Sequence, residues 1–155
     1  KKSKIAAIRP GDPFEVLEAG NDWMINWYNV LQKSIVLYGL SPDKVIEPIS
    51  KEEFINAVKL QVKGCVGWVH EMKRRGSQAY VILTMCRALY AVRHGNQPSK
   101  KQAAQWAITE YPQWRNLIQT ALNWRERQNI EKVTLKETLP EVIDFVSFTA
   151  QEVAK

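Results

Sequence analysis

Apolar residues recur at three- and four-residue spacing over most of the chain, a pattern that predicts amphipathic helices. The first helix is predicted to begin at Asn21, a residue type that caps helix N-termini. Its apolar face is rich in aromatic side chains, and we expect such a face to need a covering partner. The face comprises Trp23, Met24, Trp27, Tyr28 and Leu31.

Two shorter signals follow this helix. The apolar residues 34–38 are typical of a short strand, which we expect to end at Gly39. Ser41 and Pro42 then favour a helical turn, because proline is well accommodated at the first position of a helix. The region before the main helices is therefore expected to be short and mixed in structure.

Two longer helices are predicted next. Ser50 and Glu53 have the spacing of a capping box. Helical spacing of apolar residues continues from there into the basic residues 73–75, and we expect Gly76 to end this helix. The following helix, over residues 77–93, is apolar around almost its whole circumference, which is typical of a helix at the centre of a domain.

The remaining pattern is also helical. Ser99 and Gln102 form a second capping box, Pro112 is expected to end that helix, and further helices follow Trp114 and Thr138. The sequence therefore predicts an all-α, bundle-like domain of five to six helices joined by short loops. It also allows one short strand near the N-terminus.

Composition and charge narrow the class of protein. With 155 residues, 45% hydrophobic and 25% charged, the chain resembles one ordinary globular domain. It has no apolar run near the roughly 18 residues that a membrane span needs and no apolar signal core, so we expect a cytoplasmic protein that does not enter a membrane. The excess of 22 basic over 16 acidic residues favours an anionic partner: a nucleotide, a nucleic acid or a phosphorylated substrate.

The cysteines do not indicate a metal site. Cys65 and Cys86 both lie within apolar helical patterns, so we expect two buried thiols rather than a disulfide. His70 and His94 add no close pair of ligands at zinc-like spacing. No metal-binding residues are therefore predicted in this chain.

Arg87 and Lys100 are the residues that most suggest binding chemistry. Arg87 is a full charge within the apolar residues 81–90, where it needs either a structural carboxylate or an anionic ligand. Lys100 begins a helix whose free N–H groups favour negative charge, so it either helps to hold a phosphate or only solvates an exposed turn. The pattern by itself leaves these alternatives open.

Several motifs resemble one known family. They are SIVLYG at residues 34–39, VIEPI at 45–49, VILTMCRALY at 81–90, Gly95, PSKK at 98–101 and AAQWA at 103–107. Together they resemble the helical C-terminal domain of the aminoglycoside 3''-adenylyltransferases, from about Asn21 to the C-terminus. The resemblance implies that ATP and an aminoglycoside bind between this domain and an N-terminal nucleotidyltransferase domain, which holds Mg²⁺.

The resemblance also implies which residues contact the nucleotide. Arg87 and Lys100 match an arginine and a lysine that contact the ATP phosphates in the family. Cationic donors in those positions would orient a triphosphate and stabilise charge on the departing pyrophosphate. Arg125 or Trp124 falls near a nucleotide-contacting tyrosine of the family, so Arg125 is a further candidate.

On the acceptor side the resemblance points to Trp68, with Glu71 and Tyr80 nearby. Trp68 matches a tryptophan of the antibiotic pocket, although a tryptophan in an apolar stripe is equally typical of a core. Lys73 and Ser77 stand roughly where the family has carboxylates. A polycationic aminoglycoside is therefore expected to bind poorly, unless the basic run points to solvent.

The catalytic signature of the family, Gly-Ser followed by paired aspartates, does not occur in this sequence. Without those carboxylates we expect the chain to be inactive alone, as one part of a nucleotidyltransferase whose N-terminal domain is missing. The sequence leaves open whether that parent is active. We expect residues 1–20 to be a tail or linker, residues 21–49 a junction with the missing domain, and residues 50–155 the helical domain.

Two other hypotheses fit the same pattern. A basic helical module that binds nucleic acid or a protein partner without catalysis would also carry this net charge. Its binding to nucleic acid would weaken steeply with salt, whereas specific ATP binding would depend on Arg87 and Lys100. A structural domain that self-associates through Trp23 and Trp27 is the third hypothesis.

Overall fold

The structure, a computed structural model, describes residues 4–7, 13–126 and 135–155. In these ranges it contains six α-helices, three short 3₁₀ turns and one two-stranded sheet. This confirms the prediction of an all-α, bundle-like fold with a little strand near the N-terminus. The chain divides into two compact units, Lys1–Ala57 and Val58–Lys155, and the division falls within the second helix.

The first unit begins with two short strands. They are β1 (Lys4–Ala7) and β2 (Glu15–Glu18), which pair in antiparallel register with Ile5 opposite Leu17. The pair falls within the segment expected to be a tail or linker, of which residues 1–3 and 8–12 lie outside the described ranges. A linker role for this segment therefore stays a prediction.

Helix α1 (Asn21–Lys33) follows, with Gly20 at its N-cap, one residue before the predicted position. The strand predicted over residues 34–38 is wrong, because this segment is irregular and pairs with neither strand of the described sheet. Leu37 is 94% exposed, so the apolar pattern in this segment does not correspond to burial. The helical turn predicted next is confirmed as the 3₁₀ turn Pro42–Lys44.

The aromatic face of α1 has a partner within its own unit. The ring of Tyr28 stacks on the ring of Phe54, with centroids 4.1 Å apart and planes 10° from parallel. Phe54 thus supplies, for Tyr28, the covering partner that this face was expected to need. Trp23 and Trp27 are half-buried, and self-association through them stays a prediction.

Helix α2 (Lys51–Trp68) begins at the predicted capping box. The Glu53 amide donates to Ser50 Oγ at 3.1 Å, and the Ser50 amide donates to a Glu53 carboxylate oxygen at 2.8 Å. These two bonds satisfy backbone donors that the start of a helix leaves free. The helix ends well before Gly76 and gives way to the 3₁₀ turn Val69–Glu71.

The prediction that Gly76 ends a helix is wrong, because Gly76 lies in the first turn of α3 (Arg75–His94). The chain leaves helical geometry earlier, at Met72 and Arg74, whose backbones are not helical. Apolar spacing does not reveal this break, since Val69 in the 3₁₀ turn is still buried. A 3₁₀ turn continues the apolar stripe while it redirects the chain.

Helix α3 is the centre of the second unit, as its all-round apolar pattern predicts. It packs against α4 (Lys100–Glu110), α5 (Arg115–Glu126) and α6 (Leu139–Ala154). It ends at Gly95, whose φ of 74° lies in the left-handed region that glycine adopts without strain. The buried side chains of α3 include Val81, Ile82, Leu83, Met85, Cys86 and Leu89.

The last three helices begin close to where the sequence places them. The capping box of Ser99 and Gln102 starts α4, and that helix ends before Pro112. Helices α5 and α6 follow Trp114 and Thr138 as predicted. Within the described ranges, none of the helices combines the length and the apolar character that crossing a bilayer requires.

A buried glutamine ties the start of α3 to the residues before α6. Gln78 is fully buried; its Nε2 donates to the Leu135 carbonyl and its Oε1 accepts from Thr138 Oγ1, both at 2.5 Å. The Leu135 amide donates in turn to the Lys73 carbonyl at 2.7 Å. These bonds hold residues 73–78 in place, next to the region that carries the candidate site.

The variant Gln78→Leu is expected to lower the free energy of unfolding by about 1–3 kcal/mol. Leucine has a similar volume but leaves the Leu135 carbonyl and the Thr138 hydroxyl without their partner. Urea denaturation measures the loss. The matched control is Gln105→Leu on the exposed side of α4, for which the change should stay below about 0.5 kcal/mol. Equal losses in both variants would contradict the role of Gln78.

Candidate functional site

Arg87 is a half-buried cation within the otherwise mostly apolar stretch 81–89 of the central helix. Its Nη2 donates to Gln97 Oε1, whereas its Nε is buried and has no hydrogen-bond partner among the described residues. Burial lowers the pKa of Arg87, and the positive charge of Arg125 acts in the same direction. Arg87 is thus a partly dehydrated charge with an unused donor.

Lys100 approaches Arg87 from the first residue of α4. Its Nζ lies over the ring of Tyr80, 4.0 Å from the centroid. Burial lowers its pKa to about 8, with further contributions from the charges of Arg125 and Arg87. The capping box at Ser99 fixes the helix end that carries this lysine.

Arg125 completes a group of three cations. It is exposed, in the last turn of α5, and its charge disfavours the charged forms of both Arg87 and Lys100. We call Arg87, Lys100 and Arg125 the cation cluster. Within residues 4–7, 13–126 and 135–155, no carboxylate forms an ion pair with any of the three.

The cluster combines residues of three helices, α3, α4 and α5. Tyr80 and Arg87 are seven residues apart on α3 and therefore share one face, about 10 Å apart along the axis. Helices α4 and α5 pack against α3 and against each other, which brings Lys100 and Arg125 to that face. Like charges held together without a counter-ion favour an anion with several negative charges.

Gln97 is a site residue that the sequence does not single out. It lies between Gly95 and Pro98, is only 5% exposed, and accepts from Arg87 Nη2. A neutral acceptor satisfies one donor of Arg87 without cancelling its charge. The signal in the sequence is slight, because burial of a glutamine in a short loop depends on how α3 and α4 pack.

Trp124 and Arg125 have different surroundings, although the sequence treats them as alternatives. Trp124 is buried, and the guanidinium of Arg75 lies 5.9 Å from its ring centroid. Trp124 is therefore a core residue with a cation against its ring. Arg125, next to it in the sequence, is the residue that acts electrostatically on the site.

The acceptor-side candidates are only partly brought together. Tyr80 joins the cation cluster through Lys100. Trp68 is half-buried at the end of α2, and Glu71 is exposed in the following turn. No hydrogen bond, ion pair or ring contact between described residues links either of them to the cluster. Their roles stay predictions.

The described residues around the cation cluster bring no metal-ligand group together. No group of three or more histidine, cysteine, aspartate or glutamate side chains occurs among the described residues. Cys65 and Cys86 are buried thiols that form no disulfide, and burial raises the pKa of Cys86 far above its ordinary value. A cation cluster repels a metal ion and fits a phosphate group instead.

A comparison with protein families covers the part of the chain that carries these residues. The family model described as the C-terminal domain of aminoglycoside adenylyltransferase matches residues 44–152. The matched range contains α2 to α5, most of α6, and all three residues of the cation cluster.

The variant Lys100→Met is expected to stabilise the folded chain near pH 7. The pKa of Lys100 is about 8 in the folded protein and 10.5 in the unfolded chain, so below about pH 8 the charged lysine lowers the free energy of unfolding. This loss of stability disappears as the pH rises from about 8 to 10.5, because Lys100 then becomes neutral in both states. The urea midpoint of the variant should exceed that of the wild type at about pH 7, and the difference should shrink by about pH 10.

Lys101→Met is the control for this pH series. Lys101 is the exposed neighbour in the same first helical turn, so its removal changes the charge at the start of α4 without relieving the cluster. A Lys100→Met midpoint that equals that of Lys101→Met at every pH would contradict a strained cluster.

Proposed function

The chain belongs to the family of aminoglycoside adenylyltransferase C-terminal domains, and on that premise we propose that it is the ATP-binding helical half of a nucleotidyltransferase. The observation that carries the proposal is the cation cluster of Arg87, Lys100 and Arg125, which has no counter-ion among the described residues. A triphosphate supplies the negative charge that this cluster lacks. The reaction is the transfer of AMP from ATP to a hydroxyl group of an acceptor.

Each cation has a role in this reaction. Arg87, with its unpartnered Nε and its Nη2 fixed by Gln97, donates to phosphate oxygens. Lys100 and Arg125 add positive charge from two further helices. Together they orient the triphosphate and stabilise the negative charge that develops on the pyrophosphate as it leaves.

The remaining chemistry belongs to a partner domain. A general base and carboxylates for Mg²⁺ are needed to activate the acceptor hydroxyl, and neither the sequence signature nor a carboxylate cluster is present in the described chain. Mg²⁺ held by those carboxylates would neutralise further phosphate charge. We place these groups in an N-terminal nucleotidyltransferase domain, so the chain alone is inactive.

The acceptor is proposed to lie toward Trp68, Glu71 and Tyr80. The segment between them carries Lys73 and Arg74, both exposed, so cations outnumber the single carboxylate of Glu71. An aminoglycoside is itself a polycation and would be repelled there. A neutral or less basic acceptor suits this surface better, and a cytoplasmic location, where ATP is available, suits the reaction.

The first test is ATP binding, measured by calorimetry on the complete protein with its upstream domain. Arg87→Ala and Lys100→Ala should each raise Kd at least about tenfold, because each removes a charge-assisted hydrogen bond to phosphate. Lys101→Ala, the control, removes an exposed charge from the same helix and should change Kd by less than about threefold.

The same titrations at two salt concentrations separate this function from a basic binding module. Site-specific ATP binding keeps the difference between the Arg87 and Lys101 variants at both concentrations. Equal effects of the two variants, together with a steep loss of binding in higher salt, would refute the nucleotide site and favour nucleic-acid binding.

A second test addresses the acceptor. The double variant Lys73→Glu, Ser77→Glu of the complete protein should bind streptomycin about tenfold more tightly than the wild type, because repulsion is replaced by attraction. Lys63→Glu reverses the charge of an exposed lysine of α2 and controls for the charge reversal at Lys73. Tight streptomycin binding by the wild type, unaffected by the double variant, would overturn the proposed acceptor surface.

A further inference from the structure

Tyr80 meets two members of the cation cluster: its ring lies against Lys100, and its phenol favours the charged form of Arg87. Nζ of Lys100 lies 4.0 Å from the ring centroid, within the range of a cation–π contact. The residue is 51% exposed, so the ring is not simply a filler of the core. Its backbone is held on α3, where the Thr84 hydroxyl donates to the Tyr80 carbonyl at 2.7 Å.

Lys100 needs such a contact because everything else around it opposes its charge. The segments packed against α4 are α3, α5 and the turn Pro112–Trp114. The ionisable groups they direct at Lys100 are Tyr80 and Arg87 of α3 and Arg125 of α5, and the turn has none. Two of those three groups are cations, and burial further disfavours the ammonium.

An aromatic ring stabilises the ammonium of Lys100 in a different way from a carboxylate. A carboxylate beside Lys100 would stabilise the ammonium but would also cancel one of the charges offered to an anionic ligand. The negative face of a ring attracts the ammonium through its quadrupole and leaves the net charge unchanged. It also restricts a flexible side chain that would otherwise swing away from Arg87 into solvent.

We propose that Tyr80 is a positioning residue whose ring holds Lys100 in place and charged for a polyphosphate, and that polyphosphate binding is accompanied by uptake of a proton at Lys100. The proposal rests on the proposed ATP-binding function. It adds a positioning role for Tyr80 and the uptake of a proton on binding. The role at Lys100 belongs to the ring, whereas the phenol group acts on Arg87.

The proton linkage follows from the charges. In the free chain Lys100 has a pKa of about 8, so a fraction of the molecules lacks its charge at that pH. A bound polyphosphate favours the ammonium and raises this pKa, so binding draws a proton from solution. The affinity for polyphosphate therefore falls as the pH rises through about 8.

The first arm of the test needs no ligand. The titration of Lys100 is followed by NMR in the full chain with ¹³C-labelled lysine, and Lys100→Arg assigns the signal. Tyr80→Leu should lower the titration midpoint by about half a pH unit or more, whereas Tyr80→Phe, which keeps the ring, should retain it. A midpoint equal in all three proteins would overturn the positioning role, whether or not ATP binds.

The second arm uses inorganic tripolyphosphate, and then ATP, with the complete protein. Calorimetry at about pH 8 in two buffers of different ionisation enthalpy should show uptake of about half a proton in the wild type and none at this site in Lys100→Arg. Tyr80→Leu should raise Kd about threefold or more at pH 8, and Tyr80→Phe should restore the affinity. If Tyr80 were merely structural, Tyr80→Leu would change the melting temperature and leave the proton uptake on binding equal to that of the wild type.

The two arms distinguish the possible failures. If Tyr80→Leu lowers the titration midpoint of Lys100 as expected but neither tripolyphosphate nor ATP binds, the proposed function is refuted. Polyphosphate as the ligand of the Tyr80–Lys100 pair is then refuted with it. Binding that depends on Arg87 but not on the Tyr80 ring would preserve the nucleotide site and refute this inference alone.

Discussion

Enclosure of α3 by α4, α5 and α6 is the constraint on which the rest of the second unit depends. A helix packed on several sides must be apolar almost all round, and its side chains between Val81 and Leu89 follow that rule except at Thr84, whose hydroxyl bonds to the Tyr80 carbonyl, and at one charged position. Arg87 is the charged exception, and it lies where α4 and α5 also present a cation. The packing that forms the core therefore also forms the site, because the same helix contacts create both.

A site of this kind is obtained at the expense of stability. Three like charges are brought together and two of them are partly dehydrated, which opposes folding. The groups that face them are neutral: Gln97 accepts from Arg87, and the Tyr80 ring lies under Lys100. Neutral partners reduce the cost of each cation but leave the positive charge available to a ligand. Stability lost at a binding site in this way is a common exchange for function.

The parts of this structure that the sequence predicts are those governed by local chemistry. The capping boxes at Ser50 and Ser99 and the glycine at Gly95 act over a few residues, so they mark helix ends correctly. The end of α2 could not be predicted from local sequence, because the buried Val69 keeps the helical spacing of apolar residues through a 3₁₀ turn. The apolar residues 34–38 mislead for a related reason, since a strand requires a neighbour that local sequence does not reveal.

The site shows the same division between local and long-range information. Arg87 and Lys100 stand out in the sequence because a charge in an apolar helix and a lysine at a helix start are each noticeable alone. Their meeting with Arg125, the burial of Gln97 and the cation–π contact of Tyr80 arise only when three helices pack, and no short-range pattern encodes them. Resemblance to a family supplied Arg125 as a candidate but could not separate it from the buried Trp124.

The proposed nucleotide side and the proposed acceptor side of this domain are constrained to different degrees. The cation cluster depends on the packing of α3 with α4 and α5, so changes there disturb the core as well as the charge. Residues 73–77, by contrast, are positioned by backbone hydrogen bonds and by the buried Gln78, while the side chains of Lys73 and Arg74 are exposed. Their charge can change without altering the fold. The helical scaffold can therefore keep the cation cluster while the charge of residues 73–75 changes.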